Sequence, residues 1–102
     1  AWLEDGGQVD ATYKKGEVSG LTLLMGAALY GHERVVELLI RHGAEINMQS
    51  STGFTALMGA AFHGHERVVE LLIRHGAEIN MQSSTGFTAL MGAAFHGHER
   101  VV

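Results

Sequence analysis

Seven histidines stand out in this chain of 102 residues, and some recur at fixed intervals: His63-x-His65 and His96-x-His98, with His42 and His75 each placed before a glycine. Imidazole titrates near neutral pH and is a common metal ligand, so paired histidines could hold a metal or move a proton. The surrounding pattern supplies neither role. No carboxylate or third ligand is held beside the pairs by a fixed spacing, and the absence of Cys removes the usual thiolate zinc sites. His42 and His75 fall at the end of apolar-periodic runs, where a partial positive charge suits a helix C-terminus. His65 falls where the next run opens, and is expected to help start that helix. Hydroxyls offer no better chemistry. Ser50, Ser51, Ser83 and Ser84 sit among Gln, Thr and Gly as turn residues, without a base and carboxylate arranged for nucleophilic attack. There is no G-x-S-x-G elbow and no Gly-rich phosphate loop, and Glu66 and Glu70 share a solvent-side helical face. The expectation is therefore no metal, no cofactor and no catalytic residue.

Bulk properties narrow the field further. Net charge is −4 with seven Lys and Arg, and the five Arg are spaced singly through helical runs. A nucleic-acid groove needs clustered positive charge, so nucleic acid is excluded as a partner. The continuous apolar runs are only a few residues, far too short for direct membrane insertion. No segment resembles a signal peptide. A chain without Cys suits the cytoplasm or another reducing compartment by default, and does not identify one.

The histidines recur because the whole sequence recurs. Residues 31–69 and 64–102 are the same thirty-nine letters at an offset of thirty-three. A fixed period of this length marks stacked supersecondary units, none of which buries its apolar face alone. Residues 53–85 give one unit. Thr55 is placed to cap a short helical run ending at His63, and Gly64 terminates it. A second run, Glu66 to His75, carries Val68, Val69, Leu71, Leu72 and Ile73 as a broad apolar stripe. Glu70 and Arg74 stand four apart on the wet side in the favourable order. Gly76 ends this helix, and the turn-forming residues 77–86 lead to the next unit. The spacing predicts antiparallel helix pairs joined by glycine, with a protruding loop between pairs.

At the level of individual letters the unit resembles the ankyrin repeat, G-x-T-x-L-x-x-A-A-x-x-G-H-x-x-V-V-x-L-L-x-x-x-G-A-x-x-N. The match is carried by Gly53, Thr55, Leu57, Ala60, Ala61, Gly64, His65, Val68, Val69, Leu71, Leu72, Gly76, Ala77 and Asn80. The resemblance implies an all-α ankyrin-repeat solenoid of helix–turn–helix units with protruding hairpin-like loops, in a single domain over residues 1–102. Its parts are a remnant repeat with a long finger (1–19), two repeats (20–52 and 53–85) and a truncated repeat (86–102). Departures from the family are consistent. The usual Thr-Pro-Leu-His opening reads Thr22-Leu-Leu-Met25, Thr55-Ala-Leu-Met58 and Thr88-Ala-Leu-Met91, which accounts for a chain without Pro. A Met in place of the His that links neighbouring repeats is expected only to pack. Gly26, Gly59 and Gly92 replace a Leu, at a cost of roughly 0.8–1 kcal/mol each relative to Ala. Ser50 and Ser83 stand for the turn Asp. These departures from the consensus favour recent duplication in a natural gene over design.

The resemblance also places the exposed positions. It implies a protein-interaction module, a scaffold or adaptor or a peripheral subunit of a larger assembly, whose partner the sequence does not name. The implied contact residues are the fingertips Ser51, Thr52, Ser84 and Thr85, and the large residues Phe54, Phe62, His63, Phe87, Phe95 and His96. In the first repeat they are Leu29 and Tyr30, with Tyr13, Lys14 and Lys15 on a finger four residues longer than the next. Stacking would align the Phe residues as a concave aromatic stripe, the kind of patch that marks an interface. Alternatively, Phe54 and Phe87 tuck against a neighbouring finger and only close the stack. Gly59 and Gly92 would let a partner's backbone approach, or are tolerated drift. Residues 1–5 read as the end of a preceding second helix and Val102 stops within one, as in a fragment of a longer array. The alternative function is structural: the two half-helices are nearly complementary, which allows head-to-tail self-association.

Overall fold

The computed structural model describes residues 8–95, Phe95 by its backbone alone. The half-helices expected at both ends, and His96, lie outside those residues. The elements in chain order are strands β1 (Thr12–Lys15) and β2 (Val18–Thr22), then helices α1 (Leu23–Leu29), α2 (Glu33–Arg41), α3 (Ala56–Phe62), α4 (Glu66–Arg74) and α5 (Ala89–Phe95). The all-α expectation is corrected at one place. The long first finger is a β-hairpin, with Thr12 opposite Thr22, Tyr13 opposite Leu21 and Lys15 opposite Val18. Its extra residues are enough for a short antiparallel ladder, whereas the ten-residue fingers that follow close as turns.

Each first helix starts on a threonine. Thr22, Thr55 and Thr88 accept a hydrogen bond at Oγ1 from the backbone N–H three residues on, each at 3.2 Å, which satisfies one of the otherwise orphaned amides. In the first repeat the methionine reciprocates, because Met25 Sδ accepts from the Thr22 N–H at 3.4 Å. That corrects the expectation that this Met only packs, since a thioether is a weak acceptor. The C-terminal end of α1 closes with Gly31 at φ +71°: Gly31 N–H donates to the Ala28 carbonyl and His32 N–H to the Ala27 carbonyl. Only glycine takes this left-handed geometry at little cost.

The second helices α2 and α4 share the sequence ERVVELLIR. Each has Glu in its first turn and Arg in its last, the order that complements the helix dipole. His65 is the N-cap of α4, as expected, and its carbonyl accepts from Val69 N–H at 3.0 Å, but neither His32 nor His65 makes a side-chain cap bond. Packing is in rows. The first helices α1, α3 and α5 lie side by side, and α2 and α4 pack behind α1 and α3 and against each other. Ala27, Ala28, Ala60, Ala61 and Ala93 are buried where helices meet, and their small side chains let the axes come close. Leu24, Met25, Val36, Leu39, Leu57, Met58, Val68, Val69 and Leu72 fill the space between the rows. Each such side chain contributes about 1.5–3 kcal/mol by leaving water.

The units are also tied by hydrogen bonds at one-repeat intervals. Asn47 Nδ2 donates to the Gly76 carbonyl at 3.0 Å, and its Oδ1 accepts from Glu78 N–H at 2.8 Å. Asp10 Oδ1 accepts from Glu45 N–H at 3.0 Å, one step earlier. Gln49 Nε2 reaches the Gln82 carbonyl at 3.0 Å. Neighbouring fingers join through their backbones: Ser51 N–H donates to the Ser19 carbonyl at 2.9 Å, and Ser84 N–H to the Thr52 carbonyl at 2.8 Å. The row of fingers is thus set at the same pitch as the row of helices.

Candidate interaction surface

Of the residues named from the sequence as candidate contacts, those described lie in the fingers and at the ends of the first helices. The fingertips are built by serine. Ser50 Oγ accepts from Thr52 N–H at 3.3 Å and from Phe54 N–H at 3.2 Å, and Ser83 repeats both bonds with Thr85 and Phe87. Ser50 and Ser83 therefore hold the turn, and Ser51, Thr52, Ser84 and Thr85 are left exposed at its tip.

The same turn launches Phe54 and Phe87 toward the first helix of their own repeat. A Cβ at Gly59 would sit 2.9 Å from Phe54 Cζ, and one at Gly92 would sit 3.0 Å from Phe87 Cζ. The first is closer than Cβ contacts come, and the second is tight enough that the ring would have to give. The helix glycines are notches in which these rings sit, a contact that the sequence reading of Gly59 and Gly92 did not include. The notches are narrow on the other side too, where the Leu29 Cα lies 3.4 Å from the Gly59 position and the Phe62 Cα 3.4 Å from that of Gly92. Phe54 and Phe87 are half-buried, and Phe54 packs against the core. They close the stack and keep part of each ring at the surface.

The first repeat solves the same problem differently. Leu21 stands where the later repeats have Phe, and the long hairpin supplies a substitute ring: the Tyr13 hydroxyl lies 3.2 Å from the Cβ position of Gly26. Tyr13, Phe54 and Phe87 thus occupy the three notches in turn. The signal was present in the sequence, as the aromatic missing at Leu21 coincides with an extended finger bearing one. Pairing Tyr13 with Gly26 needed the hairpin register.

Across the repeats the rings touch. Phe62, at the end of α3, meets Phe87 of the following finger edge-on, with centroids 6.1 Å apart, and meets His63 at 5.1 Å. Leu29 is half-buried at the matching place in the first repeat, and Tyr30 is 64% exposed. His63 is exposed and stacks on the His65 ring at 6.1 Å. His65 is committed elsewhere, because its Nε2–H donates to the Leu29 carbonyl of the preceding repeat at 3.0 Å. A Cβ at Gly31 would lie 2.6 Å from His65 Nδ1, so Gly31 also clears room for this ring. The bond ties the second repeat to the first. Among the described residues, no three His, Asp or Glu gather as a metal ion would require. Lys14 and Lys15 are exposed on the first hairpin.

The arrangement sets half-buried rings, exposed Tyr and His side chains and a row of hydroxyl fingertips on mutually bonded supports. Among the described residues no helix is long and apolar enough to cross a membrane. In comparisons with known proteins, a family model described as ankyrin repeats (three copies) matches residues 4–83 and, in a second placement, residues 24–102. Comparison with curated proteins finds no match.

Proposed function

The chain belongs to the ankyrin-repeat family, and from that premise we propose that it is a non-catalytic scaffold or adaptor that binds a protein partner through its fingertips and aromatic stripe. Ankyrin repeats are generally protein-interaction modules, and the family is typically non-catalytic. In this reading residues 1–102 form one short solenoid, with a remnant repeat at 1–19, repeats at 20–52 and 53–85 and a truncated repeat at 86–102. The contact residues are Phe54, Phe62, His63 and Phe87 with Leu29, Tyr30, Tyr13, Lys14, Lys15 and the four fingertip hydroxyls. Phe95 and His96 join them by repetition. The observation that carries the proposal is the Phe62–Phe87 contact between consecutive repeats, which lines the rings up beside exposed fingertips. Aromatic side chains held rigid at a surface lose little entropy on binding and are favoured anchors. Phe62→Ala with Phe95→Ala should abolish capture of a partner that the wild-type chain retains, with the circular dichroism of the helices unchanged. Retention of the partner by the double variant would remove the stripe from the binding site.

One observation favours end-to-end self-association as a second reading. Leu90 is 52% exposed beside an apolar hollow of about 90 Å³ lined by Leu57, Ala61, Val69, Ile73, Ile79 and Ala89, whereas Leu57, its copy one repeat earlier, is 3% exposed. A second copy could cover this face. Light scattering over a concentration series separates the readings, since open-ended growth supports self-association and a constant monomer mass supports the adaptor.

A further inference from the structure

We propose that the partner is a polypeptide segment with a chemical direction, carrying apolar side chains over the second and third repeats and carboxylates over the first hairpin. The inference rests on the interaction reading above and adds to it the chemistry and orientation of the bound segment.

The three notches are the starting point. Two of them hold the wholly apolar rings of Phe54 and Phe87, and the contact of Phe62 with Phe87 extends the apolar stretch toward the third repeat. The first notch holds Tyr13, the one ring of this row with a polar atom, half exposed and carried on the hairpin. The row therefore changes from wholly apolar rings to one that bears a hydroxyl, directed at Gly26.

Charge changes in the same direction. Lys14 and Lys15 follow one another on β1, both exposed and directed to opposite faces of the ribbon, and with Glu17 they give residues 12–22 a balance of +1 in a chain of net charge −4. The later fingertips, Ser51-Thr52 and Ser84-Thr85, carry no charge at all. The acidic residues Glu33, Glu37, Glu66 and Glu70 lie on the outer helices α2 and α4 instead, interleaved with Arg. Among the described residues, a carboxylate on a bound segment thus meets an excess of positive charge at the hairpin, whereas the exposed Arg34, Arg41, Arg67 and Arg74 of α2 and α4 stand among glutamates. Two adjacent lysines at one end are too few and too local to follow a nucleic-acid backbone, which needs a track of positive charge. An acidic end joined to apolar residues fits both gradients.

Size follows from the pitch. Two steps between packed helices span about 20 Å, roughly six residues of extended chain. A displayed library of random dodecapeptides is therefore long enough to serve as the probe, selected on the whole 102-residue chain. The expected binders combine aromatic or aliphatic residues with Asp or Glu clustered to one side, and lose affinity for the Phe62→Ala/Phe87→Ala chain. They should weaken about tenfold on the Lys14→Glu/Lys15→Glu chain, which should itself select Lys or Arg at the same side. Circular dichroism of both variants checks that the helices are retained. Binders that need the rings but show no acidic bias, or whose acidic bias survives charge reversal, overturn this inference and leave the interaction reading standing. A selection yielding no binders, or only binders indifferent to Phe62 and Phe87, overturns both.

Discussion

Val35 and Val68 are the same letter at the same place in two helices of identical sequence, yet Val35 is 45% exposed and Val68 1%. The contrast reverses at the other end of the helix, where Ile40 is half-buried and Ile73 is exposed. Burial here is a property of position in the row. Helix α4 has α2 on one flank, so Val68 is covered, while Val35 sits on the opposite flank of α2, where no described helix lies. Leu39 and Leu72 point inward to the first helices, and both are buried in both repeats. One letter string therefore carries two kinds of apolar residue. Some are buried by the unit itself, and others wait for a neighbour.

The contrast can be broken by substitution, with unfolding followed in urea. The largest effects belong to the inward positions. Leu39→Ala and Leu72→Ala should each cost about 2–5 kcal/mol and should match each other within about 1 kcal/mol, because both delete a fully buried side chain. A large inequality between them would mean that stability depends on the repeat and not on the direction the residue faces. The flank positions come next and should differ. Val68→Ala is expected to cost about 2 kcal/mol, and Val35→Ala less than about 0.5 kcal/mol. Equal costs would show that the outer flank of α2 is covered in solution.

The smallest effects test the notches. Gly26→Ala meets only the tip of Tyr13 and should stabilise the chain by up to about 1 kcal/mol through helix propensity. The same change at Gly59 confronts the Phe54 ring and the Leu29 backbone and should gain nothing or destabilise. Adding Phe54→Ala should restore the gain at Gly59, measured as a double-mutant cycle. Independence of the two residues would argue that the ring does not occupy the notch in solution.

Much of this was legible beforehand. The helix limits followed from threonine caps and terminal glycines, which act within a few residues of where they are written. Ser50 and Ser83 were readable as turn formers for the same reason. The first finger was readable as long, but its strands were not, since a ladder depends on cross-strand partners. The ring bond of His65 was not legible, because its partner, the Leu29 carbonyl, lies thirty-six residues away. Phe54 and Phe87 were left between surface and core, and the structure places them half in each.

The amino-acid sequence by itself determined the repeating unit, its caps, its inward apolar stripe and the family to which the chain belongs. These depend on short-range geometry, on the periods of helix and turn, and on a pattern copied letter for letter. Only the tertiary structure decided which of two identical valines is buried, which ring fills which notch, and that Tyr13 serves the first repeat as Phe54 serves the second. Those outcomes depend on what stands one repeat away, and a string that repeats itself is the same whichever neighbour it has.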